Sequence, residues 1–180
     1  MHIELKNFKY FASLSEETEA FSATVYVNGS RAFMVENTGK GECHRLTPVN
    51  GKTHDDIRHL NQWVSTLPEV DLGNGIKAED DLDYFISRLV DDLLLSQELK
   101  KLLKKRVLLY SRNVGANGLI QLASKLKPPV SGNLRDKIQV VYRDCIIIND
   151  LPFHLALEFY KNSNSNEKLH SLYLKAHKAS

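Results

Sequence analysis

The chain has 180 residues, 42% of them apolar and 26% charged, which is typical of a globular domain that folds without disulfides or structural metals. Its two cysteines, Cys43 and Cys145, are too few for a disulfide framework and favour a reduced, cytoplasmic setting. The apolar runs are too short to span a membrane, and the N-terminal residues lack the pattern of a secretory signal. We therefore expect a cytoplasmic protein without membrane contact.

The small net charge of +2 conceals two blocks of opposite sign. Residues 1–98 carry 17 acidic and 9 basic side chains, whereas residues 99–143 carry 11 lysines and arginines against a single aspartate. A basic block of this kind either binds an anionic partner or neutralises the acidic part of its own fold. The sequence leaves both alternatives open.

The first third of the chain has the pattern of an antiparallel sheet. Residues 21–27 and 30–35 are rich in aromatic and β-branched side chains, and Asn28-Gly29 between them predicts a hairpin because both residues tolerate positive φ. Residues 3–11 are expected to add a third strand. The hairpin is expected to end in a flexible loop at residues 37–41.

Helices are predicted in the middle of the chain. Thr53, followed by acidic residues, is expected to cap a helix that ends before a linker at residues 68–77. Apolar residues then recur at helical intervals over residues 82–94, which predicts a long amphipathic helix with a wide apolar stripe. This helix is expected either to run unbroken to Lys105 or to break near Ser96.

The last third is predicted to alternate between short strands and short helices. Strands are expected at residues 107–110, 138–141 and 145–148, and helices at residues 119–126, after an Asp150 cap with Pro152 in the first turn, and around Leu169 to Tyr173. The fold class is therefore α+β, with an N-terminal antiparallel hairpin sheet, a long central amphipathic helix and a small C-terminal strand-and-helix region. The chain is predicted to be one domain, 1–180, or two lobes: a β-rich lobe with one helix at 1–67 and a helix-rich lobe with a small sheet at 77–180.

Three short stretches of the N-terminal third together resemble the opening of uncharacterised accessory proteins of bacteria and their phages. They are Ser15-Glu16-Glu17-Thr18, Ala23-Thr24-Val25-Tyr26-Val27-Asn28-Gly29 and Asn37-Thr38-Gly39-Lys40-Gly41. In that family the last stretch tends to read Asn-Asp-Gly-x-Gly-Gly, so Thr38 and Glu42 depart from it. The resemblance implies a bacterial or phage setting and no activity.

The basic block supplies the main candidate binding surface, at residues 100–118. Its clustered lysines and arginines can contact phosphate, and a Gly- and Asn-rich segment before a predicted helix can expose backbone N–H groups to an anion. The candidate anion-binding residues are Lys100, Lys101, Lys104, Lys105, Arg106, Arg112, Asn113 and Asn117. The alternatives are a solvated helix end and an ordinary strand-to-helix turn. Only Tyr110 and Tyr142 are available for base stacking.

Two further groups of residues were weighed as chemical sites. Cys43, His44 and His54 are zinc-binding types, but their spacing matches no zinc motif, so no metal or cofactor is predicted. A row of aspartates is expected to face solvent opposite the apolar stripe, where carboxylates do no catalysis: Asp80, Asp81, Asp83, Asp91 and Asp92. No nucleophile motif is present, so no catalytic residues are predicted.

The sequence favours a non-enzymatic binding protein of the bacterial or phage accessory type. It would act through contact with another protein, as an inhibitor or modulator, because a charge-separated surface favours steering and recognition. The alternative is a nucleic-acid or phosphorylated-nucleotide binder that uses the basic block 100–118. A third hypothesis is a metal-dependent enzyme centred on His44 and His54.

Overall fold

A computed structural model confirms the α+β class and describes residues 1–73, 76–111, 119–121, 127–143, 145–163, 168–169 and 171–174. The chain forms two compact units, Met1–Asp92 (unit 1) and Leu93–Ser180 (unit 2). The boundary lies inside the long helix, whereas the sequence pattern placed it at the linker 68–77. In the described part of the chain no helix is both long and apolar enough to cross a bilayer.

Unit 1 contains a four-stranded antiparallel sheet in the order β1-β2-β3-β4. Its strands are β1 (Ile3–Tyr10), β2 (Phe21–Val27), β3 (Ser30–Asn37) and β4 (Arg45–Pro48). The predicted hairpin is confirmed, because Asn28 (φ 50°) and Gly29 (φ 80°) form the two-residue turn between β2 and β3. The predicted third strand is also confirmed as β1, whereas β4 was not predicted.

Two helices belong to unit 1 in whole or in part. The first, α1 (His54–Val64), has the predicted cap: Thr53 Oγ1 accepts the Asp56 N–H at 3.4 Å, and Asp56 Oδ2 accepts the Thr53 N–H at 2.9 Å. The second, α2 (Leu82–Lys105), is unbroken and continues into unit 2. Between them, the expected linker contains a small hairpin of β5 (Val70–Gly73) and β6 (Ile76–Ala78).

One face of the unit 1 sheet supplies its core. Ala23 pairs with Val35 and Val25 pairs with Phe33, so their side chains share a face, and all four are almost fully buried. The two helices add further buried apolar side chains, namely Leu60, Val64, Leu82, Ile86 and Val90. Asn37 extends the same register at the end of β3. A polar side chain is thereby placed on the apolar face of the sheet.

Unit 2 is built on a three-stranded antiparallel sheet in the order β8-β7-β9. Its elements are β7 (Leu108–Tyr110), β8 (Leu119–Gln121), α3 (Gly132–Val141), β9 (Ile146–Ile147) and α4 (Phe153–Lys161), and residues 168–169 and 171–174 are also helical. Alternate residues of β7 enter different clusters. Leu108 packs with Leu99 and Phe159, whereas Leu109 packs with Ile138 of α3. The central strand is therefore buried on both faces.

Three local predictions for the last third are wrong. Residues 138–141 belong to α3, because Ser131 caps a helix there and outweighs the β-branched side chains that suggested a strand. Residues 119–121 form β8 rather than the start of a helix, because they pair with β7. Helix α4 has Pro152, not Asp150, at its N-cap.

Candidate functional site

Four lysines project from the C-terminal end of α2 in unit 2. This lysine cluster consists of Lys100, Lys101, Lys104 and Lys105, all exposed. Lys100 Nζ lies 4.9 Å from the centre of the Phe153 ring, within cation–π range. The other three make no ion pair with any residue that the structure describes. The helix dipole stabilises positive charge at a helix C-terminus, so it favours the lysine cluster at this position without cancelling its charge.

The rest of the predicted anion site is not assembled by the described residues. Arg106 is exposed and follows the lysine cluster, but Arg112, Asn113 and Asn117 lie outside the described residues. The segment 112–118 runs from β7 to β8, so no helix begins directly after it. The argument that a helix N-terminus would help to hold a phosphate there is therefore wrong.

The tyrosines expected to stack on bases are not both accessible. Tyr110 is only 5% exposed, and its ring lies 5.6 Å from Phe159 and 5.9 Å from Tyr173. Tyr142 is half-buried beside the cluster that contains Ile138. Stacking needs an exposed ring face, so Tyr110 is not available to stack on a base.

The candidate metal ligands are engaged or dispersed. Both ring nitrogens of His44 make hydrogen bonds within unit 1, while His54 is an exposed first residue of α1 and Cys43 is an exposed free thiol. Across the residues the structure describes, no three His, Cys, Asp or Glu side chains are grouped to hold a metal ion.

His44 instead belongs to a buried polar network centred on Asn37, which is only 5% exposed. Asn37 Oδ1 accepts hydrogen bonds from Thr18 Oγ1 at 2.9 Å and from the Gly39 N–H at 2.8 Å. Its amide nitrogen donates to the Glu42 carbonyl at 2.9 Å and lies 3.1 Å from His44 Nδ1. The Gly39 N–H can only donate and the Glu42 carbonyl can only accept, so together they fix the orientation of the Asn37 amide.

This orientation determines the tautomer of His44. Since the Asn37 amide donates to Nδ1, that nitrogen is the acceptor and Nε2 carries the proton. Nε2 lies 2.9 Å from Ser87 Oγ, and the Ser87 hydroxyl donates in turn to the Asp83 carbonyl at 3.1 Å. Burial lowers the pKa of His44, while the nearby Asp83 carboxylate opposes that shift. His44 is therefore held as a neutral imidazole.

Ser87, His44 and Asp83 are the residue types of a hydrolytic triad, but their hydrogen bonds run the wrong way. In a triad the serine donates to the histidine and the other ring nitrogen donates to the carboxylate. Here the ring donates to Ser87, and Asp83 Oδ1 accepts the backbone N–H of His44 at 2.6 Å. The network therefore joins the segment after β3 to α2 and has no activated nucleophile.

The aspartates around the start of α2 differ from the expected solvent-facing row. Asp80 is 2% exposed and pairs with Arg88 through Oδ2, while its Oδ1 is buried without a hydrogen-bond partner among the residues that the structure describes. Burial raises the pKa of Asp80, and the Arg88 guanidinium partly offsets that rise. Asp83 is half-buried in the His44 network. The expectation holds for Asp81, Asp91 and Asp92, which are exposed, although partial burial and Glu19 raise the pKa of Asp91.

A cleft of about 540 Å³ opens beside this network in unit 1. It is lined by Cys43, His44, Leu46, Ile57, Arg58, Asn61, Gln62, Leu82 and Asp83. The sequence pattern did not identify it, because its residues come from the end of the β3–β4 connection, β4, α1 and the start of α2. One signal was available: Asn37 occupies an apolar position in the alternation of β3, which marks a buried polar group that needs partners.

Asn37 is the first residue of the Asn-Thr-Gly-Lys-Gly stretch, and His44 follows that stretch by three residues. Gly39 has a φ of +90°, and a Cβ there would clash with the Leu14 carbonyl oxygen. Glycine is thus required at position 39 by packing as well as by backbone conformation. Comparison of the chain with protein-family models, curated proteins and solved structures finds no match.

Proposed function

We propose that the chain is a non-enzymatic binding protein that acts through contact with an acidic surface of another protein, as an inhibitor or modulator. The lysine cluster at the end of α2 carries this proposal, because none of its four ammonium groups has a carboxylate partner among the described residues. Charged groups without an internal partner remain available for an external one.

The distribution of charge between the two units supports the same conclusion. Unit 1 carries 16 acidic and 9 basic residues, a net charge of −7, and unit 2 carries 6 acidic and 15 basic residues, a net charge of +9. Exposed ion pairs contribute only about 0.2–1 kcal/mol each, so the cluster adds little to folding. Its larger effect is on association, since a patch of one sign accelerates encounter with a complementary surface.

A nucleic-acid or nucleotide ligand is the second candidate, because unpaired lysines also suit phosphates. The buried position of Tyr110 weighs against a single-stranded ligand. Because strand β8 follows the segment 112–118, no helix begins at residue 119 to offer its N-terminus to a compact phosphate. The protein partner is therefore the better-supported candidate.

Binding of two polyanions by matched variants tests the choice. One variant replaces Lys100, Lys101, Lys104 and Lys105 by glutamine. The control variant makes the same change in charge on unit 1, at the exposed residues Lys6, Lys9, Lys40 and Lys77. The probes are a polyglutamate peptide and a DNA duplex, each measured at low salt and at about 150 mM salt.

We expect the first variant to bind polyglutamate more slowly and the control variant to bind it as the unmodified chain does. DNA binding is expected to be weak at about 150 mM salt, because phosphate contacts lose affinity steeply as salt rises. Tight DNA binding at that salt, abolished only in the first variant, would establish the nucleic-acid function instead. Equal binding of polyglutamate by both variants would refute a role for the lysine cluster.

A further inference from the structure

We propose that the cleft of unit 1 binds a short extended segment of a partner polypeptide, one with a large apolar side chain flanked by basic residues. The cleft, at about 540 Å³, is within the range of roughly 300–1,000 Å³ over which proteins bind compact ligands. It lies in the acidic unit, away in sequence from the lysine cluster, so this site is independent of the function proposed above.

The apolar residues that line the cleft are the reason for expecting a large apolar side chain in the ligand. Leu46 of β4, Ile57 of α1 and Leu82 at the start of α2 line it together. Leu46 and Ile57 are half-exposed. An aromatic or leucine side chain placed between them would be buried on several sides, as are the anchor residues of most peptide complexes.

The polar residues on the α1 side of the cleft are donors with unused capacity. Arg58, Asn61 and Gln62 are three and four residues apart, so they share one side of the helix. Asn61 Oδ1 accepts the Leu82 N–H at 2.8 Å, which leaves the Asn61 amide nitrogen without a partner in the described part of the chain. The Gln62 side chain likewise bonds to no described residue. Such donors match the carbonyl oxygens of a peptide.

Asp83 supplies an acceptor from a different element. Its Oδ1 is occupied by the His44 backbone N–H, whereas its Oδ2 bonds to no described residue. A peptide unit carries a carbonyl and an N–H that point in opposite directions, so one ligand can satisfy amide donors on α1 and a carboxylate at the start of α2. A phosphate or carboxylate ligand has no N–H to offer Asp83.

The charge of the cleft and of unit 1 indicates which residues should flank the apolar side chain of the ligand. Arg58 already pairs with Asp55, so the cleft retains the uncompensated carboxylate of Asp83 within a unit of net charge −7. Basic residues on either side of the anchor are therefore attracted, and acidic ones are repelled.

The two cysteines provide a reporter for occupancy. Cys43 is exposed and lines the cleft, whereas Cys145 is buried in unit 2. A thiol reagent should therefore modify Cys43 first. A ligand seated in the cleft should slow that modification without slowing the reaction of a free cysteine in the same solution.

The test begins with a displayed library of random heptapeptides selected on the full chain. The enriched peptides are expected to combine a large apolar residue with Lys or Arg, and a synthetic peptide of that sequence is expected to protect Cys43. The double variant Gln62→Ala and Asp83→Asn removes one donor and one acceptor while an oxygen still accepts the His44 N–H. It should bind the peptide roughly tenfold more weakly.

His59→Ala is the matched control, because His59 is exposed on the same helix but lines a separate cavity of about 130 Å³. It should bind the peptide with unchanged affinity, as should the variant of the lysine cluster. The proposal is overturned if no peptide is enriched, if the enriched peptides are acidic, or if Cys43 stays unprotected. It is also overturned if the peptide binds the double variant normally or depends on the lysine cluster. Gln62→Ala alone, at an exposed position, replaces the double variant should the latter fail to fold.

Discussion

Replacing Asn37 by aspartate should destabilise unit 1. It should also reverse the direction in which His44 makes the stability of unit 1 depend on pH. The substitution preserves the shape of the side chain and its Oδ1 acceptor, but it turns the donor that faces Glu42 and His44 into an acceptor. At pH 8 the neutral His44 ring can donate to the new carboxylate only if its proton moves from Nε2 to Nδ1, and the Ser87 hydroxyl must then leave the Asp83 carbonyl, 3.1 Å away, to donate to Nε2. Two hydrogen bonds of the network are therefore lost in either tautomer, the bond to the Glu42 carbonyl among them.

The magnitude follows from the hydrogen bonds of Asn37. Each of the two lost bonds, at 2.9 and 3.1 Å, contributes about 0.5–1.5 kcal/mol, and a buried acceptor left unsatisfied adds about 1–3 kcal/mol. We therefore expect unit 1 to lose about 3 kcal/mol of unfolding free energy at pH 8. That loss is a large fraction of the stability of an ordinary domain.

The pH dependence gives the sharper test. In the unmodified protein the pKa of His44 is lowered, so its contribution to stability is complete above about pH 6.5 and declines as the pH falls below that value. With a carboxylate beside Nδ1, the pKa of His44 should instead rise, and its protonated form should be stabilised. The free-energy difference between the two proteins should thus shrink from pH 8 to pH 6.

Urea unfolding followed by Trp63 fluorescence measures this effect, because the only tryptophan of the chain lies in α1 of unit 1. The control is Asn28→Asp, which adds the same charge in the same unit and keeps the exposed acceptor that binds the His2 N–H at 2.9 Å. A loss below about 1 kcal/mol for Asn37→Asp, the value of one ordinary hydrogen bond, would refute the network. A difference that stays constant or grows as the pH falls would refute the assigned tautomer.

Three further predictions concern helix ends and one tyrosine. Asn149→Ala should lower the free energy of unfolding by about 2–3 kcal/mol, because this side chain accepts the Leu108 N–H at 2.8 Å and donates to two carbonyls at the end of α2. Urea unfolding followed by circular dichroism measures the loss, and an unchanged stability would contradict these hydrogen bonds. Thr53→Ala should cost about 1 kcal/mol through loss of the α1 cap, measured by the Trp63 fluorescence assay, whereas no loss would show that the capping box is not formed. Glu98→Gln should lower the pKa of Tyr160 from about 12, because burial raises it and the hydrogen bond from its hydroxyl to Glu98 raises it further; ultraviolet titration checks this, and an unchanged pKa would exclude the contact.

Sequence alone predicted the elements that depend on interactions between residues close together in the chain. The Asn28-Gly29 turn and the Thr53 cap were predicted because positive φ and a side-chain acceptor act within a few residues. The apolar periodicity of α2 likewise predicted a helix, although not which of its residues would be fully buried. The same reasoning failed at α3, where β-branched side chains suggested a strand and the Ser131 cap with its helical apolar spacing prevailed.

The charge of the basic block was also plain from the sequence, but its pairing was not. Whether a lysine meets a carboxylate depends on side chains far away in the chain, so only the folded structure identifies three lysines of the cluster without a described partner. Burial of Tyr110 also depends on residues far away in the chain, because β7 is covered by side chains of α2, which precedes it, and of α3 and α4, which follow it.

The polar network and the cleft belong wholly to the tertiary structure. His44 meets Ser87, which is 43 residues away, and the cleft joins residues of β4, α1 and α2 that share no motif. The sequence pattern placed Asn37 in a loop, whereas in the structure it is the last residue of β3 and occupies an apolar position of the strand. Its partners are set by strand pairing and helix packing, and these act between residues whose separation along the chain carries no information about their distance in space.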